Sequence, residues 1–225
     1  MQQLKIAQMI DHTNLKPDAT EADIIKLCEE AVQHKFGAVC VNSHWVHCCY
    51  HLLDGSDIPV CSVVGFPLGA SVRYAKAHEA DVANEMGADE IDMVMNIGAA
   101  KSGQWNTVQE DIMAVRNAVP DAILKVILEC CLLTDDEKYR ACKVAEGCGV
   151  DFVKTSTGFS TGGATIEDVR LMRRYVKPEI GIKAAGRIRT LDDALRMVDA
   201  GANRLGCSSS VSIMEELKKL HSIVH

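Results

Sequence analysis

Hydrophobic runs along the chain are separated by glycines at regular intervals. A short, nearly continuous apolar stretch follows each of Gly37, Gly87, Gly149 and Gly201, and each of these glycines ends a segment with helical spacing of apolar residues. Glycine is favoured just past a helix because it adopts a left-handed backbone without strain. The glycines lie about 50 to 60 residues apart, which accommodates two strand–helix units. The pattern predicts a recurring βαβα unit.

Three further strands are predicted between these, each shortly after a proline: Pro59, Pro120 and Pro178. The predicted strands are apolar almost throughout, as parallel strands covered on both faces are. With the region from Met9 to Asn14, eight strands are predicted. Eight strand–helix units in one α/β chain favour a single (β/α)8 TIM barrel over residues 1–225, and a doubly wound open sheet is the alternative.

Helix starts carry a common signal. A hydroxyl residue precedes each of five segments with helical spacing and has an acidic residue three positions later, as in a capping box. These predicted N-caps are Thr20, Thr134, Thr165, Thr190 and Ser212.

Composition narrows the possible partners and location. No apolar run approaches the roughly 20 residues that span a membrane, and the segment MQQLKIAQMIDHTN is too interrupted for a signal peptide. We therefore expect a cytoplasmic protein with no membrane partner. The net charge of −7 comes without a basic stripe, so no nucleic-acid partner is expected. The ten cysteines are irregularly spaced, which favours reduced thiols.

Two lysines interrupt consecutive predicted strands. Lys154 lies in DFVKTSTG and Lys183 in GIKAAG, both at mid-strand positions. If both face a barrel interior, desolvation and like charge push at least one of them toward the neutral, nucleophilic amine. The alternative is that the two lysines form buried ion pairs with Asp92 or Asp11 that only organise the core, although such pairs give little net stability.

Other charged residues occupy comparable strand positions, so a compensated polar cluster is expected inside the barrel. Asp92 lies in EIDMVMN, and Lys125 and Glu129 lie in ILKVILE. Lys125 closely follows the start of its strand, and we expect it at the rim with its ammonium in water, in a structural role. Glu129 and Asp11 could each be functional or structural.

The last two loops carry a possible anion site. The segments are AAGRIRT, residues 184–190, and GCSSSVS, residues 206–212. In many barrels these two loops and a helix N-terminus hold a phosphate through backbone N–H groups and hydroxyls. Arg189 could add a charge-assisted bond to a phosphate oxygen. Serines before a helix can equally be ordinary N-caps.

A separate group of residues could bind a metal. His44, His47, Cys48 and His51 follow helical spacing, and zinc takes ligands of these types. The alternative is a helix that buries cysteine and tryptophan while its histidines stay in solvent.

Seven segments together resemble the deoxyribose-phosphate aldolases in order and spacing: DHTNLKPDAT, AVCVNS, VVGFPLG, DEIDMVMNIGA, FVKTSTGFST, IKAAGRIRT and RLGCSSS. The resemblance covers Ile10 to Ser210, and KTSTG with IKAAG at this separation is highly specific to that family. It implies a (β/α)8 barrel, in agreement with the pattern of glycines and prolines.

The resemblance also implies roles for individual residues. Lys154 would form the Schiff base, Lys183 would perturb it, and Asp92 would help to move protons. Cys40 matches a cysteine near the family's active site, although a buried structural thiol is the favoured role. Residues at the family's phosphate site would be Thr157, Gly158, Gly186, Arg189, Gly206, Ser208 and Ser209.

The implied activity is that of a class I aldolase without metal or cofactor. It would reversibly cleave 2-deoxy-D-ribose 5-phosphate into D-glyceraldehyde 3-phosphate and acetaldehyde, in deoxyribose phosphate catabolism, and a homo-oligomer such as a dimer is possible. Two other hypotheses are a metal-dependent lyase or isomerase acting on another sugar phosphate and a non-catalytic barrel that binds a phosphorylated metabolite. Neither accounts for the paired lysines.

Two positions depart from the family pattern. Arg187 stands where the family commonly has a second glycine, and its side chain could crowd the phosphate nest or supply another cation. Some members end in a flexible tail with a tyrosine that helps proton transfer, whereas this sequence ends in HSIVH. Proton transfer would then rely on core residues and water.

Overall fold

Eight parallel strands form a closed barrel in the order β1 to β8, with β8 paired back to β1. The computed structural model describes residues 2–224, with side chains described for 6–220, so the ends of the predicted domain, Met1 and His225, lie outside the described residues. The strands are β1 Ile10–Asn14, β2 Ala38–Val41, β3 Val60–Val64, β4 Glu90–Val94, β5 Ile123–Ile127, β6 Phe152–Lys154, β7 Gly181–Ala185 and β8 Arg204–Cys207. The barrel is confirmed and the open sheet is excluded.

Helices alternate with the strands in chain order. They are α1 Gln2–Met9, α2 Glu21–His34, α3 Val46–Leu52, α4 Arg73–Glu85, α5 Ile97–Lys101, α6 Trp105–Ala118, α7 Asp135–Gly147, α8 Ile166–Tyr175, α9 Leu191–Asp199 and α10 Ser210–Val224. Short 3-10 helices cover Ser43–Trp45 and Cys130–Leu132. Within residues 2–224, no helix is long and apolar enough to cross a bilayer.

Three of the four glycines adopt the predicted left-handed conformation, with φ of +105° at Gly87, +68° at Gly149 and +115° at Gly201. Gly37 does not. A side chain there would bring its Cβ within 2.1 Å of the carbonyl oxygen of Gln8, so close packing of α1 requires this glycine. The left-handed residue after α2 is Lys35 instead.

Four of the five predicted N-caps are confirmed. The side chains of Thr20, Thr134, Thr165 and Thr190 each accept an N–H bond from the third residue of their helices. The prediction for Ser212 is wrong, because α10 begins at Ser210 and the carbonyl of Ser209 accepts the N–H of Ile213. The capping-like pattern there lies inside the first turn.

Strand alternation separates two environments. Side chains that point outward pack against the helices and form the main apolar core, with Ile91, Met93, Leu124, Val126, Val153 and Ile182 among them. The inward face carries the charged residues together with small residues such as Gly181 and Gly206, and also a few apolar ones such as Phe152, whose ring lies under the Arg204 guanidinium. Register places Asp92 beside Lys125 and Lys183 between Lys154 and Arg204. All ten cysteines are free thiols, as predicted.

Candidate active site

Asp92 is the centre of the buried charge cluster inside the barrel. Its Oδ2 accepts hydrogen bonds from Lys154 Nζ at 2.7 Å and Lys183 Nζ at 2.6 Å, and its Oδ1 accepts one from Lys125 Nζ at 2.9 Å. Lys183 lies in mid-strand as predicted, whereas β6 ends at Lys154. That end of the strand faces the carboxyl-terminal mouth, where barrel enzymes carry their active sites.

Lys125 contradicts the expectation of an exposed ammonium. Its side chain is fully buried, and Nζ contacts Glu90 Oε2 at 2.5 Å as well as Asp92. The second inward position of β5 points into the barrel rather than to the rim. Two carboxylates replace the lost hydration of the ammonium.

The network continues around the barrel through Asp11 and Arg204. Lys183 Nζ donates to Asp11 Oδ2, and Arg204 Nε donates to Asp11 Oδ1 at 2.7 Å. Arg204 Nη2 also reaches Glu90 Oε2 at 3.2 Å. Sequence reasoning missed Glu90 and Arg204, although alternation could have found them, since each stands two residues before an inward position. Asp11 therefore acts within the ion network.

The charges fix the ionisation of two of these groups. Burial raises the pKa of Asp92, but the ammonium groups of Lys125, Lys154 and Lys183 outweigh it and hold the pKa well below its usual range. Burial lowers the pKa of Lys183, but Asp11 and Asp92 outweigh it and hold the pKa well above its usual range. Lys183 is therefore held as a cation, and the expectation that at least one of the two lysines loses its charge is not met at Lys183.

A cavity of about 570 Å³ opens above this network, and Lys154 is among its lining residues. Its walls come from helix α2 and from the loops after β1, β6, β7 and β8. Six residues predicted for phosphate binding line it: Thr157, Gly158, Gly186, Arg189, Gly206 and Ser208. The seventh, Ser209, is not among the lining residues, and its carbonyl accepts the N–H of Ile213 in the first turn of α10.

Glu129 holds the loop after β6. It follows β5 with a left-handed backbone, φ +57°, and its side chain is buried. Its carboxylate accepts the Thr157 hydroxyl at 2.5 Å and the Thr157 N–H at 3.3 Å. Glu129 thus holds Thr157 through a contact between separate loops that the sequence did not reveal.

Arg189 and Arg187 both lie at the cavity edge with exposed side chains. The Arg189 N–H donates to Asp193 Oδ2 at 3.0 Å, which ties this loop to the N-terminus of α9. Arg187 has φ +65°, which accounts for the glycine common at this position in the family. Its guanidinium donates to the Thr161 carbonyl, so its side chain does not fill the nest.

Cys40 and Cys61 face each other on β2 and β3 beside Asp92. Cys61 Sγ donates to Asp92 Oδ1 at 3.1 Å, and burial raises the pKa of this thiol well above its usual range. Cys40, Cys61 and Asp92 lie close enough to share a metal ion. Three ammonium groups already neutralise Asp92, and their charges oppose a divalent cation there.

The predicted four-ligand group of histidines and cysteine does not assemble. His44 lies on the 3-10 segment before α3, which breaks the helical spacing, and its ring packs against Trp45. His47 Nε2 and His51 Nε2 lie 3.1 Å apart on the exposed side of α3. Within residues 6–220, the candidate metal groups contain neither. The three histidines are exposed, as the alternative has it, whereas Trp45 and Cys48 are only partly buried.

The fold and the site together define a class of protein, the (β/α)8-barrel enzymes with a lysine at the carboxyl-terminal mouth above a buried acid–base network. The family model described as DeoC/LacD family aldolase matches residues 5–210. The chain belongs to this aldolase family.

Individual aldolases are similar to this chain over nearly its whole length. The chain is 57% identical over 211 residues to a deoxyribose-phosphate aldolase of Geobacillus sp., covering 93% of this chain and 95% of that protein. It is 56% identical over 211 residues to the deoxyribose-phosphate aldolase of Streptococcus uberis, covering 94% and 96%. The tetrameric deoxyribose phosphate aldolase of Aeropyrum pernix superposes with a TM-score of 0.89 at 34% identity, covering 96% of this chain and 92% of that one.

Proposed function

We propose that this protein is a class I deoxyribose-phosphate aldolase. It reversibly cleaves 2-deoxy-D-ribose 5-phosphate into D-glyceraldehyde 3-phosphate and acetaldehyde through a Schiff base on Lys154. The observation that carries the proposal is the position of Lys154 between the cavity and the buried network. Lys154 lines the cavity, and its amine contacts the buried Asp92, which also binds Lys183. A substrate entering from the mouth meets Lys154 first.

Charge balance supports Lys154 as the nucleophile. Three carboxylates of the network face four cations: Lys125, Lys154, Lys183 and Arg204. Loss of the Lys154 proton leaves three cations against three carboxylates, a balanced buried set. Of these carboxylates, Lys154 contacts only Asp92, which keeps Lys125 and Lys183 when the Lys154 proton is lost. Discharge of any other cation would remove a partner from two buried carboxylates at once, which is costly in a low dielectric.

The reaction proceeds in four steps. The Lys154 amine attacks C1 of the open-chain aldehyde, and loss of water gives an imine. A proton leaves the C3 hydroxyl, the C2–C3 bond breaks, and its electron pair moves into the imine to give an enamine as glyceraldehyde 3-phosphate departs. Protonation at C2 and hydrolysis release acetaldehyde and free Lys154. Asp92 and Lys183 carry these protons through bound water.

The phosphate sits in the loops after β6, β7 and β8. Backbone N–H groups and hydroxyls there suit a dianion, and the Arg189 guanidinium can add a charge-assisted bond. The residues proposed for this role are Thr157, Gly158, Gly186, Arg189, Gly206 and Ser208, with Ser209 acting through the start of α10. No metal or cofactor takes part in the proposed chemistry.

The wider setting follows from the same proposal. The enzyme works in the cytoplasm in the breakdown of deoxyribose phosphate, as one functional domain of residues 1–225, and neither nucleic acid nor membrane is a partner. A homo-oligomer such as a dimer is proposed by analogy with the tetrameric relative.

Trapping the imine tests the mechanism directly. The protein is incubated with deoxyribose 5-phosphate and a chelator, reduced with borohydride, and mapped by peptide mass spectrometry. We expect an adduct on Lys154, with the Lys125 and Lys183 peptides unmodified as internal controls. A folded protein that binds the sugar phosphate but gives no adduct rules out the lysine mechanism. Turnover abolished by chelator would point to a metal-dependent lyase, and binding without turnover to a non-catalytic barrel.

A further inference from the structure

In the loop from β6 to α8, three cavity-lining residues lie between two residues that are fixed by hydrogen bonds to other loops. Gly158, Phe159 and Ser160 line the cavity. Thr157, just before them, is held by Glu129. Thr161, just after them, offers its carbonyl to the guanidinium of Arg187. The two residues that make these contacts lie in other loops: Glu129 in the loop after β5 and Arg187 in the loop after β7.

Both holding residues have strained backbones. Glu129 and Arg187 have φ of +57° and +65°, and the third described non-glycine residue with positive φ, Lys35, simply ends α2. A left-handed non-glycine residue is strained and persists only where its surroundings require it. Strain on both sides of one loop indicates that its position matters.

The side chain of Arg187 follows a defined path to the loop. It runs across Gly163, where an added Cβ would meet Arg187 Cγ at 2.9 Å and the Gly186 carbonyl oxygen at 2.5 Å. At the base of the loop, the Ala164 N–H already bonds to the carbonyls of Ala185 and Gly186. The hydrogen bond from Arg187 to the Thr161 carbonyl adds a second contact to the loop after β7, closer to the cavity-lining residues 158–160.

We propose that Arg187 is a positioning residue that holds residues 158–160 in place for the phosphate of the substrate, opposite Glu129. This inference rests on the proposed function. A glycine at position 187 would adopt the same backbone conformation without strain but would lack the guanidinium. Preorganisation of the loop lowers the ordering cost of binding, so the effect falls on substrate affinity rather than on the chemical step.

Arg187→Gly separates the side chain from the backbone conformation, because glycine keeps φ positive. We expect KM for deoxyribose 5-phosphate to rise about tenfold with kcat within about twofold. Turnover of unphosphorylated deoxyribose should not change, since it has no phosphate to place. Arg170→Ala, an exposed arginine on α8, is the surface control.

Hydrogen exchange of the free protein distinguishes positioning from direct phosphate binding. Arg187→Gly should accelerate amide exchange in residues 158–161, whereas Arg189→Ala should raise KM without that change. A raised KM with unchanged exchange would make Arg187 a direct ligand and overturn the proposal, as would an unchanged KM. If the wild type fails to cleave deoxyribose 5-phosphate, the proposed function fails, while the exchange comparison still tests whether Arg187 positions the loop.

Discussion

At the scale of single residues, Asp92 couples three lysines. Its two oxygens divide them: Oδ2 contacts Lys154 and Lys183, and Oδ1 contacts Lys125. The Oδ2 pair lies nearer the mouth, and Lys125 is also held by Glu90. A change in the charge of Lys154 or Lys183 therefore alters the electrostatic environment of the other, because both contact the same oxygen and little water screens the interaction.

Lys183→Leu should abolish most activity without unfolding the barrel, because Asp11 keeps Arg204 as a partner. Removing a cation that shares Asp92 favours the charged form of Lys154, so imine formation should move to higher pH. Loss of a proton-transfer group costs about 10² to 10⁴ in rate. The measurements are kcat/KM against pH and circular dichroism. Lys183→Arg, which keeps the charge, should retain the wild-type pH position, and near-normal turnover of Lys183→Leu at neutral pH would reject the coupling.

At the scale of elements, short-range sequence patterns predicted most of the helices and strands. Contacts between elements determined the features that these patterns did not predict. Caps such as Thr134 and strands such as β4 follow from neighbouring residues. The left-handed backbone of Glu129 does not, because its partner Thr157 lies 28 residues away. The burial of Lys125 likewise depends on Glu90, which is 35 residues away on another strand. Alternation along a strand predicts which face of the sheet a side chain lies on, but it does not predict which residue pairs with a buried charge.

Two helix caps with similar local geometry should differ in their effect on function. Thr134 and Thr190 each form a capping box, but the carboxylate of Asp193 in the second also accepts the N–H of Arg189. Thr134→Ala and Thr190→Ala should each lower the free energy of unfolding by about 1 kcal/mol. Thr190→Ala should in addition raise KM, because the loop after β7 loosens.

Urea denaturation and steady-state kinetics on both variants test this, with Thr134→Ala as the matched control. An equal rise in KM in both variants would show that general destabilisation, rather than the loop after β7, affects the site.

At the scale of the whole molecule, barrel closure creates the site. Asp11 on β1 and Arg204 on β8 are 193 residues apart and meet only because the first and last strands pair. The same closure brings Asp11 to Lys183. The fold thus concentrates charges from six strands in its interior, and the stability of the barrel becomes linked to their ionisation.

Asp11 provides the test of this linkage. Burial raises the pKa of Asp11, but Lys183 and Arg204 outweigh it and lower the pKa from 3.8 to about 2. The contribution of a carboxyl with a depressed pKa is present above the unfolded value and is lost as pH falls toward the folded value, so Asp11 stabilises the barrel fully above about pH 4. The full linkage amounts to about 2 kcal/mol.

Asp11→Asn should therefore lower the free energy of unfolding at pH 6, by about 3 kcal/mol, because two buried cations lose a partner. That deficit relative to the wild type should narrow by about 1 kcal/mol at pH 3, where the unfolded wild-type chain gains a proton that the folded one resists. Urea denaturation of both proteins at the two pH values measures it. A deficit that is equal at pH 6 and pH 3 would mean that Asp11 contributes packing and hydrogen bonds but no linked charge, and that closure of the barrel does not depend on the ion network.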